Sequence, residues 1–355
     1  MSVLDLARAD IRALTPYSSA RMEASGGRVL LNANESPWSP AAQAGEGLNR
    51  YPDPQPMALL KRLAVLYGVA PDQLLVGRGS DEAIDLLVRA FCRAGEDAIL
   101  ISPPTFGMYA VAAAIQGAQV LHAPLAEDFS LNADALLAAL TPAVKLVFVC
   151  TPNNPSGNLV PLPVLERIAT ALRGRALLVI DEAYVEFTDA PSASVLLARH
   201  DHVAVLRTLS KAYALAGARV GVLLAANEVI ALLRRILAPY PLPAGSVAAA
   251  LAALSPDGIA QARARIALLR EQREWLRERL LELPDVNAVL PSAANFLCVR
   301  WRDPAVAYAT LLHAGVVVRD VTRYRGLSDC LRISVGTPEE NRALLSALQA
   351  RVEAA

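Results

Sequence analysis

Seven short apolar runs recur between residues 73 and 225, and stretches with a helical pattern separate them. The runs are apolar at nearly every position, not at alternate ones, which is typical of strands buried on both faces of a mostly parallel sheet. They occupy residues 74–76, 98–101, 119–121, 145–150, 176–180, 203–206 and 220–224. The pattern predicts a large α/β domain.

The C-terminal part has a different pattern. Residues 257–283 are rich in arginine and glutamate and end at Pro284, which predicts a long helix connecting two domains. Beyond it we predict strands at 288–290, 295–299, 316–318 and 331–334, and helices at 305–314 and from Pro338. We therefore expect a large domain at 45–256, and a small α+β domain formed by 257–355 together with the N-terminal segment 1–44.

Composition narrows the class of protein. The chain has 355 residues, 54% hydrophobic and 19% charged, with formal net charge zero. This describes a packed globule without a charge footprint for nucleic acid or an anionic membrane, so small molecules or a second copy are the expected partners. Acidic residues among the first ten, and prolines and glycines within the uncharged stretches 98–126 and 236–256, favour a cytoplasmic protein without membrane spans.

The four cysteines, Cys92, Cys150, Cys298 and Cys330, are far apart and form no C-x-x-C pair. Three of them lie within or beside apolar runs, where a thiol behaves as a small core residue. We expect neither a disulfide nor a metal site.

Lys211 is one of only three lysines, against 31 arginines, and it follows the apolar run 203–206. An amine can lose its proton and an arginine side chain effectively cannot, so a retained lysine points to covalent chemistry through a Schiff base. The alternative is an exposed lysine without a special role.

Three further motifs follow predicted strands. Residues 77–82 (GRGSDE) join a strand to a helix, and backbone amides at such a helix start bind phosphate; the alternative is an ordinary capped helix, and the third glycine of a dinucleotide motif is absent. Asp181 ends a buried strand, where a carboxylate could hold a ring nitrogen protonated. A nucleotidase reading of Asp181 fails because no G-K-[ST] sequence is present.

The third motif is the turn at residues 150–157 (CTPNNPSG). Its asparagines could simply satisfy their own backbone. Together with Asp181 and Lys211, however, the turn would form one wall of a pocket, because the ends of successive parallel strands meet at one edge of a sheet.

The segments NNPSG (153–157), DEAY (181–184) and SKAYALAGAR (210–219), in this order, resemble the fold type I pyridoxal-phosphate-dependent aminotransferases. Within that group the chain is similar to the histidinol-phosphate aminotransferase family over nearly its whole length. The matching stretches are residues 31–35, 50–53, 77–82, 103–109, 238–242, 294–296 and 331–337.

The resemblance implies a role for each residue at the cofactor. Lys211 would form the Schiff base and then shuttle the substrate proton, and Asp181 would pair with the pyridinium nitrogen. Tyr184 and Asn154 would hydrogen-bond the 3-oxygen of the ring. The implied contacts to the phosphate and the ring face come from Gly79, Ser80, Asp81, Phe106, Thr208, Ser210 and Arg219, and from Tyr51 of the neighbouring subunit. The resemblance thus implies a homodimer with shared active sites.

For substrate, the resemblance implies that Arg332 binds the glutamate carboxylate and that Arg319 helps to bind the histidinol phosphate group, with Asn34 and Tyr17 completing the pocket. A surface ion pair with Asp320 is the alternative for Arg319.

The activity implied is transamination between L-histidinol phosphate and 2-oxoglutarate in histidine biosynthesis. Three alternatives remain open at this point: an aromatic-amino-acid aminotransferase, a threonine-phosphate decarboxylase, and a catalytically silent cofactor-binding module of a regulator. No helix-turn-helix segment or basic extension supports the last.

Overall fold

The computed structural model describes residues 2–18, 31–40 and 48–354, and its main feature is a seven-stranded sheet. The strands are β1 (Leu74–Gly77), β2 (Ala98–Ile101), β3 (Gln119–His122), β4 (Val144–Cys150), β5 (Leu177–Asp181), β6 (Val203–Thr208) and β7 (Gly221–Ala225). Their order is β1-β7-β6-β5-β4-β2-β3. β7 is antiparallel to both neighbours and the other pairs are parallel. The seven predicted strands and the mostly parallel α/β sheet are confirmed.

Helices cover both faces of this sheet. They are α1 (Ala9–Ala13), α2 (Met57–Tyr67), α3 (Ser80–Phe91), α4 (Met108–Gln116), α5 (Ala133–Ala138), α6 (Leu162–Leu172), α7 (Asn227–Arg234) and α8 (Ala244–Ala253). Apolar side chains of α2, α5, α6 and α8 form the core on one face, and those of α3, α4 and α7 form the core on the other. Because both faces are covered, the central strands are apolar at most positions.

A second, smaller sheet follows along the chain. Its antiparallel strands are β8 (Val286–Val289), β9 (Phe296–Trp301), β10 (Arg319–Asp320) and β11 (Cys330–Ser334), in the order β10-β11-β9-β8. The helices are α9 (Pro256–Leu281), α10 (Pro304–His313) and α11 (Pro338–Ala354). All three contribute apolar side chains to one face of the sheet. The opposite face, which carries Cys298 and Arg332, is turned toward the large sheet.

The strand predicted at residues 316–318 is wrong, because the observed strand begins one residue after the predicted one ends, at Arg319. Only Arg319 and Asp320 pair with β11, and the amide of Val316 instead donates to the carbonyl of Leu311 at 2.8 Å. That bond turns Val316 back toward the end of α10, so the apolar run begins as a helix-terminating loop. Apolar composition alone does not reveal this competing bond.

Residues 3–8 do not pack with the small unit, by which we mean the small sheet and helices α9 to α11. Val3, Leu6 and Ala7 belong to the core between α3, α4, α7 and the large sheet. The amide of Arg8 donates to the carbonyl of Ala90 at 3.0 Å. This part of the predicted small domain therefore packs on the large one. The predicted boundary at residues 44 and 45 lies outside the described residues, and the remaining division of the chain stays a prediction.

The predicted connecting helix is present as α9. It begins after Ser255, whose hydroxyl accepts from the amide of Gly258 at 3.1 Å, and it ends shortly before Pro284. Its buried residues Leu276 and Leu280 join the core of the small sheet, and the helix also contacts α8. Within the described ranges, no helix combines the length and apolar character needed to cross a bilayer; the cytoplasmic location stays a prediction.

Candidate active site

Loops at the carboxyl ends of β1, β2, β4, β5 and β6 meet around one cavity, with about 510 Å³ of space not filled by protein atoms. Every predicted cofactor contact except Tyr51 lines it. The lining residues are Gly79, Ser80, Asp81, Phe106, Cys150, Asn154, Asp181, Ala183, Tyr184, Thr208, Ser210, Lys211 and Arg219. The cavity lies where open α/β sheets bind their ligands.

Asp181 is the buried carboxylate of this cavity, with 2% of its surface exposed. Its Oδ2 atom accepts from the Tyr109 hydroxyl at 2.7 Å, and its Oδ1 atom accepts from the amide of Ala183 at 3.1 Å. Burial raises the pKa of Asp181 to about 6, and the two hydrogen bonds oppose that rise. The group is therefore mostly ionised at neutral pH and suited to accept from a cationic N–H.

Lys211 lies in the loop between β6 and β7, which are paired up to Thr208 and Gly221. The loop is compact: the amide of Leu209 donates to the carbonyl of Val220, and the amide of Leu215 donates to the carbonyl of Leu209, both at 3.0 Å. Burial lowers the pKa of Lys211, and the nearby cations of Arg332 and Arg219 lower it further. The amine is thus more easily deprotonated than an ordinary lysine.

Arg219 ends the same loop and faces the start of α3. Its backbone has φ 55°, in the left-handed region, and its Nη2 atom donates to Asp81 at 3.1 Å. A Cβ atom on Gly79 would lie 2.7 Å from that Nη2 atom. No described side chain caps the amides at the start of α3. A guanidinium and free amides at a helix start are the donors that bind a phosphate group.

Asn154 connects the cavity to the small sheet. Its Nδ2 atom donates to the Tyr184 hydroxyl at 3.3 Å, and its Oδ1 atom accepts from Nη1 of Arg332. The Arg332 guanidinium also lies 5.2 Å from the centre of the Phe296 ring. Burial raises the pKa of Tyr184 above its usual range, so its hydroxyl stays protonated and can donate. One polar chain therefore joins the ring pocket to the predicted carboxylate-binding arginine.

Arg319 is the strand partner of Arg332 in the β10–β11 pair, which places the two side chains on the same face of the sheet. The carboxylate of Asp320 accepts from the amide of Thr322 at 2.8 Å. Among the described ion pairs none joins Arg319 to Asp320. Two adjacent arginines on one face are well suited to a dianion.

Five predicted residues are not among those that line the Lys211 cavity: Arg332, which bonds to the lining residue Asn154, its strand partner Arg319, and three that lie at other depressions. Tyr51 is half-exposed and stacks on Tyr240, with ring centres 4.4 Å apart. Tyr51 and Asn34 line a second depression together with Arg50, and Tyr17 lines a third. A single subunit therefore does not bring these three side chains to Lys211.

Tyr109 is the main residue for which the sequence predicted no role. It is fully buried, stacks on Phe148 at 4.7 Å and donates to Asp181. The available signal was a single aromatic residue in the otherwise alanine-rich helix at 108–116, directly after the proline turn. Cys150, expected in the core, is buried but also lines the cavity.

An ion network lies behind the cavity. Glu182 follows Asp181 and Arg207 precedes Thr208, and alternation along a strand points both side chains away from the cavity. Arg207 Nη1 lies 3.2 Å from Glu182, and Nη2 lies 2.7 Å from Glu186. Burial raises the pKa of Glu182, while Arg207 opposes that rise. The network ties together the strand ends that carry the cavity residues.

Comparison with known proteins agrees with this geometry. The aminotransferase class I and II family profile matches residues 26–348. The histidinol-phosphate aminotransferase of Stenotrophomonas maltophilia is 54% identical, over 99% of this chain and 98% of that protein. That of Xanthomonas axonopodis is 53% identical, over 100% and 99% of the two chains.

A solved structure extends the comparison to the fold. The histidinol-phosphate aminotransferase of Sinorhizobium meliloti, in complex with pyridoxal-5′-phosphate, is 29% identical. It has a TM-score of 0.79, covering 91% of this chain and 90% of that one. The profile match spans far more than half of the sequence, and the chain therefore belongs to the aminotransferase class I and II family.

Proposed function

We propose that this protein catalyses the reversible transfer of an amino group between L-histidinol phosphate and 2-oxoglutarate, with pyridoxal 5′-phosphate attached at Lys211. The observation that carries the proposal is the convergence of Lys211, Asp181 and Arg219 on one cavity. The names of the relatives that are 54% and 53% identical over nearly the full chain support the choice of substrate.

The donor set of the cavity fits this cofactor. A lysine amine, a buried carboxylate and a phosphate-binding helix start lie around one space. The hydroxyls of Thr208 and Ser210 add donors beside Arg219. Because Gly79 has no side chain, the space in front of the Arg219 guanidinium stays free; a Cβ atom there would collide with it. These features support Arg219, Thr208, Ser210 and the amides of residues 79–81 as the phosphate contacts, with Phe106 against the ring.

When bound, pyridoxal phosphate supplies an electron sink that stabilises negative charge at the substrate Cα atom. Asp181, mostly ionised near neutral pH, would accept from the protonated ring nitrogen and hold that proton in place. Tyr184 and Asn154 would donate to the ring oxygen. Tyr109 would keep the Asp181 carboxylate oriented through its 2.7 Å hydrogen bond.

Lys211 would move the proton at the substrate Cα atom through its Nζ atom. Burial and two arginine neighbours lower the pKa of this amine, so the neutral form needed for proton uptake is more accessible than in an ordinary lysine. Arg332 would bind the carboxylate of glutamate or 2-oxoglutarate in bidentate fashion, and Arg319 would bind the phosphate of histidinol phosphate.

The half-exposed position of Tyr51, outside the Lys211 cavity of its own subunit, supports a homodimer in which Tyr51 serves the phosphate site of the neighbouring subunit. Asn34 and Tyr17 would act at the same shared boundary.

The test of this function begins with Lys211→Ala. After incubation with pyridoxal phosphate and reduction with borohydride, peptide mass spectrometry should find the cofactor on Lys211 in the wild type and on no residue of the variant. The variant should lose turnover by roughly a million-fold, because both attachment and proton transfer are lost. A wild-type protein that carries the reduced cofactor elsewhere would refute the assignment.

Substrate class needs a separate comparison. Turnover with histidinol phosphate should exceed turnover with phenylalanine and should require 2-oxoglutarate. Arg319→Gln should weaken use of histidinol phosphate about tenfold or more, since a charge-assisted phosphate contact is lost, and should leave phenylalanine use nearly unchanged. Preference for phenylalanine would identify an aromatic aminotransferase. Release of carbon dioxide from threonine phosphate without 2-oxoglutarate would identify a decarboxylase.

A further inference from the structure

Phe129 has an unusual backbone conformation for a bulky residue. Its φ is 62°, in the left-handed region that favours glycine and asparagine. The turn around it is closed by bonds from the amide of Phe129 to the carbonyl of Ala126 at 2.9 Å and from the amide of Ala126 to the carbonyl of Ser130 at 3.0 Å. Such strain persists only where surrounding contacts offset it.

The contacts that offset the strain belong to the small unit. The Phe129 ring is 6% exposed and packs with residues of β9, β11 and the loop between β10 and β11. The cluster consists of Phe129, Cys298, Val321, Leu327 and Cys330. A residue that follows β3 of the large sheet is thus part of a core of the small sheet.

The loop between β10 and β11 packs against the Phe129 ring at Gly326. Gly326 has φ 75°, and a Cβ atom there would lie 3.4 Å from the Phe129 ring. The Arg300 guanidinium lies 5.9 Å from the ring centre. It also donates to the Gly326 carbonyl at 3.0 Å and to Asp329 at 2.6 Å. Arg300 therefore holds the loop in place over Phe129.

The packed strands are those that carry Arg332. Cys298 is the strand partner of Arg332, and Cys330 lies two residues before it on β11. Their side chains share one face of the sheet with Arg332. On that face the small sheet contacts the large unit through the Phe129 ring, which packs on the cysteines, through Arg332, which bonds to Asn154, and through Phe296, which packs on Tyr184.

The turn of Phe129 is itself anchored beside the cavity. The amide of Leu125 donates to the carbonyl of Pro103 at 2.9 Å, and Phe106, a few residues after Pro103, lines the cavity. The turn thus connects the cavity wall to the strands that carry Cys298, Cys330 and Arg332.

We infer that Phe129 is a positioning residue for Arg332: its strained turn inserts the ring into the small unit and sets the distance of the Arg332 guanidinium from the cavity. The inference rests on the proposed function, in which Arg332 binds the substrate carboxylate. Phe129 itself touches no reacting atom.

The test measures the dissociation constant of 2-oxoglutarate for the cofactor-loaded enzyme by calorimetry. Phe129→Ala and Phe129→Gly should each weaken binding about tenfold, since a small displacement of an oriented group costs affinity. Phe129→Leu, which keeps much of the apolar volume, should restore most of it. Retention of pyridoxal phosphate should be unchanged in all three. Glycine relieves the strain but lacks the ring, so wild-type binding by Phe129→Gly would overturn the inference.

Two controls separate the possible outcomes. Leu348→Ala removes a buried side chain of α11 that packs on the opposite face of the small sheet. It should lower the unfolding temperature without changing the dissociation constant of 2-oxoglutarate. A loss of affinity equal to that of Phe129→Ala would overturn the inference. Arg332→Gln should weaken 2-oxoglutarate binding at least as much as Phe129→Ala. Unchanged binding in Arg332→Gln would refute the carboxylate role of Arg332, and with it this inference, whereas a loss there alone would refute only the role of Phe129.

Discussion

Individual side chains in the cavity owe their chemistry to burial and to a few neighbours. Burial raises the pKa of Asp181 despite the hydrogen bond from Tyr109, and burial and two arginine neighbours lower the pKa of Lys211. One cavity therefore holds a carboxylate that binds its proton more tightly than usual and an amine that binds its proton less tightly. Opposite shifts of pKa in one cavity are typical of acid–base sites.

Asp181 should make the stability of the cofactor-free protein depend on pH. Its pKa in the folded state is about 6 against an ordinary value of 3.8, so the folded protein binds this proton more tightly than the unfolded chain. The resulting stabilisation is complete below the ordinary pKa and is lost as pH rises through the folded-state pKa. Between about pH 5 and about pH 7.5 the wild type should lose about 1 kcal/mol relative to Asp181→Asn.

Urea unfolding of both proteins at the two pH values measures this difference, and the other titrating groups cancel in the comparison. Equal changes in the two proteins would contradict the burial-raised pKa of Asp181. The sequence placed Asp181 at a strand end, but the direction in which its pKa shifts depends on the surrounding side chains.

At the scale of elements, the phosphate end of the cavity depends on how closely β7 approaches the turn after β1. Gly77 and Gly221 are strand partners. A Cβ atom on Gly221 would lie 2.1 Å from the carbonyl carbon of Gly79. The backbone of that turn cannot yield without moving the start of α3, which carries the amides that we propose bind the phosphate.

Gly221→Ala should therefore lower the free energy of unfolding by about 2 kcal/mol or more through overpacking. It should also weaken retention of pyridoxal phosphate. Equilibrium unfolding and dialysis of the loaded enzyme measure the two effects. Gly217→Ala is the matched control in the same loop, because an added Cβ atom there meets nothing within 4 Å. The control should stay within about 0.5 kcal/mol of the wild type; similar effects of the two substitutions would contradict the close-approach argument.

At the scale of the whole molecule, the prediction that two subunits share their active sites concerns three side chains. Tyr51, Asn34 and Tyr17 lie outside the lining of the Lys211 cavity. If two subunits share their sites, one native site needs Lys211 from one chain and Tyr51 from the other.

Mixing two defective proteins tests this arrangement. Lys211→Ala should be inactive, and Tyr51→Ala should hold the cofactor phosphate weakly. After dissociation and reassociation of an equal mixture, about a quarter of the sites should combine native residues from both chains, restoring about a quarter of wild-type activity. Activity should be measured at limiting cofactor. If the activity of the reassociated mixture does not exceed the sum of the activities of the separate variants, the prediction of shared sites is contradicted. The control is the same mixture without dissociation and reassociation.

The amino-acid sequence by itself determined the large sheet and the chemistry at its edge. Strands of a sheet that is covered on both faces are apolar at most positions, so the apolar runs located β1 to β7. Lys211, Asp181 and the asparagine turn each follow such a strand, and parallel strand ends meet at one edge. The rarity of lysine and the family motifs then indicated what that edge does.

Tertiary structure decided what depends on partners distant in sequence. The hydrogen bond of Val316 to Leu311 excludes the strand predicted at 316–318, and Val3 and Leu6 pack on the large sheet and not in the predicted small domain. The sequence around Tyr109 marks it as a lone aromatic residue but does not indicate Asp181 as its partner, and the left-handed conformation of Phe129 has no local signal. Such contacts arise only when separate elements pack, because the free energy that offsets strain or burial at one residue comes from neighbours that the chain brings together on folding.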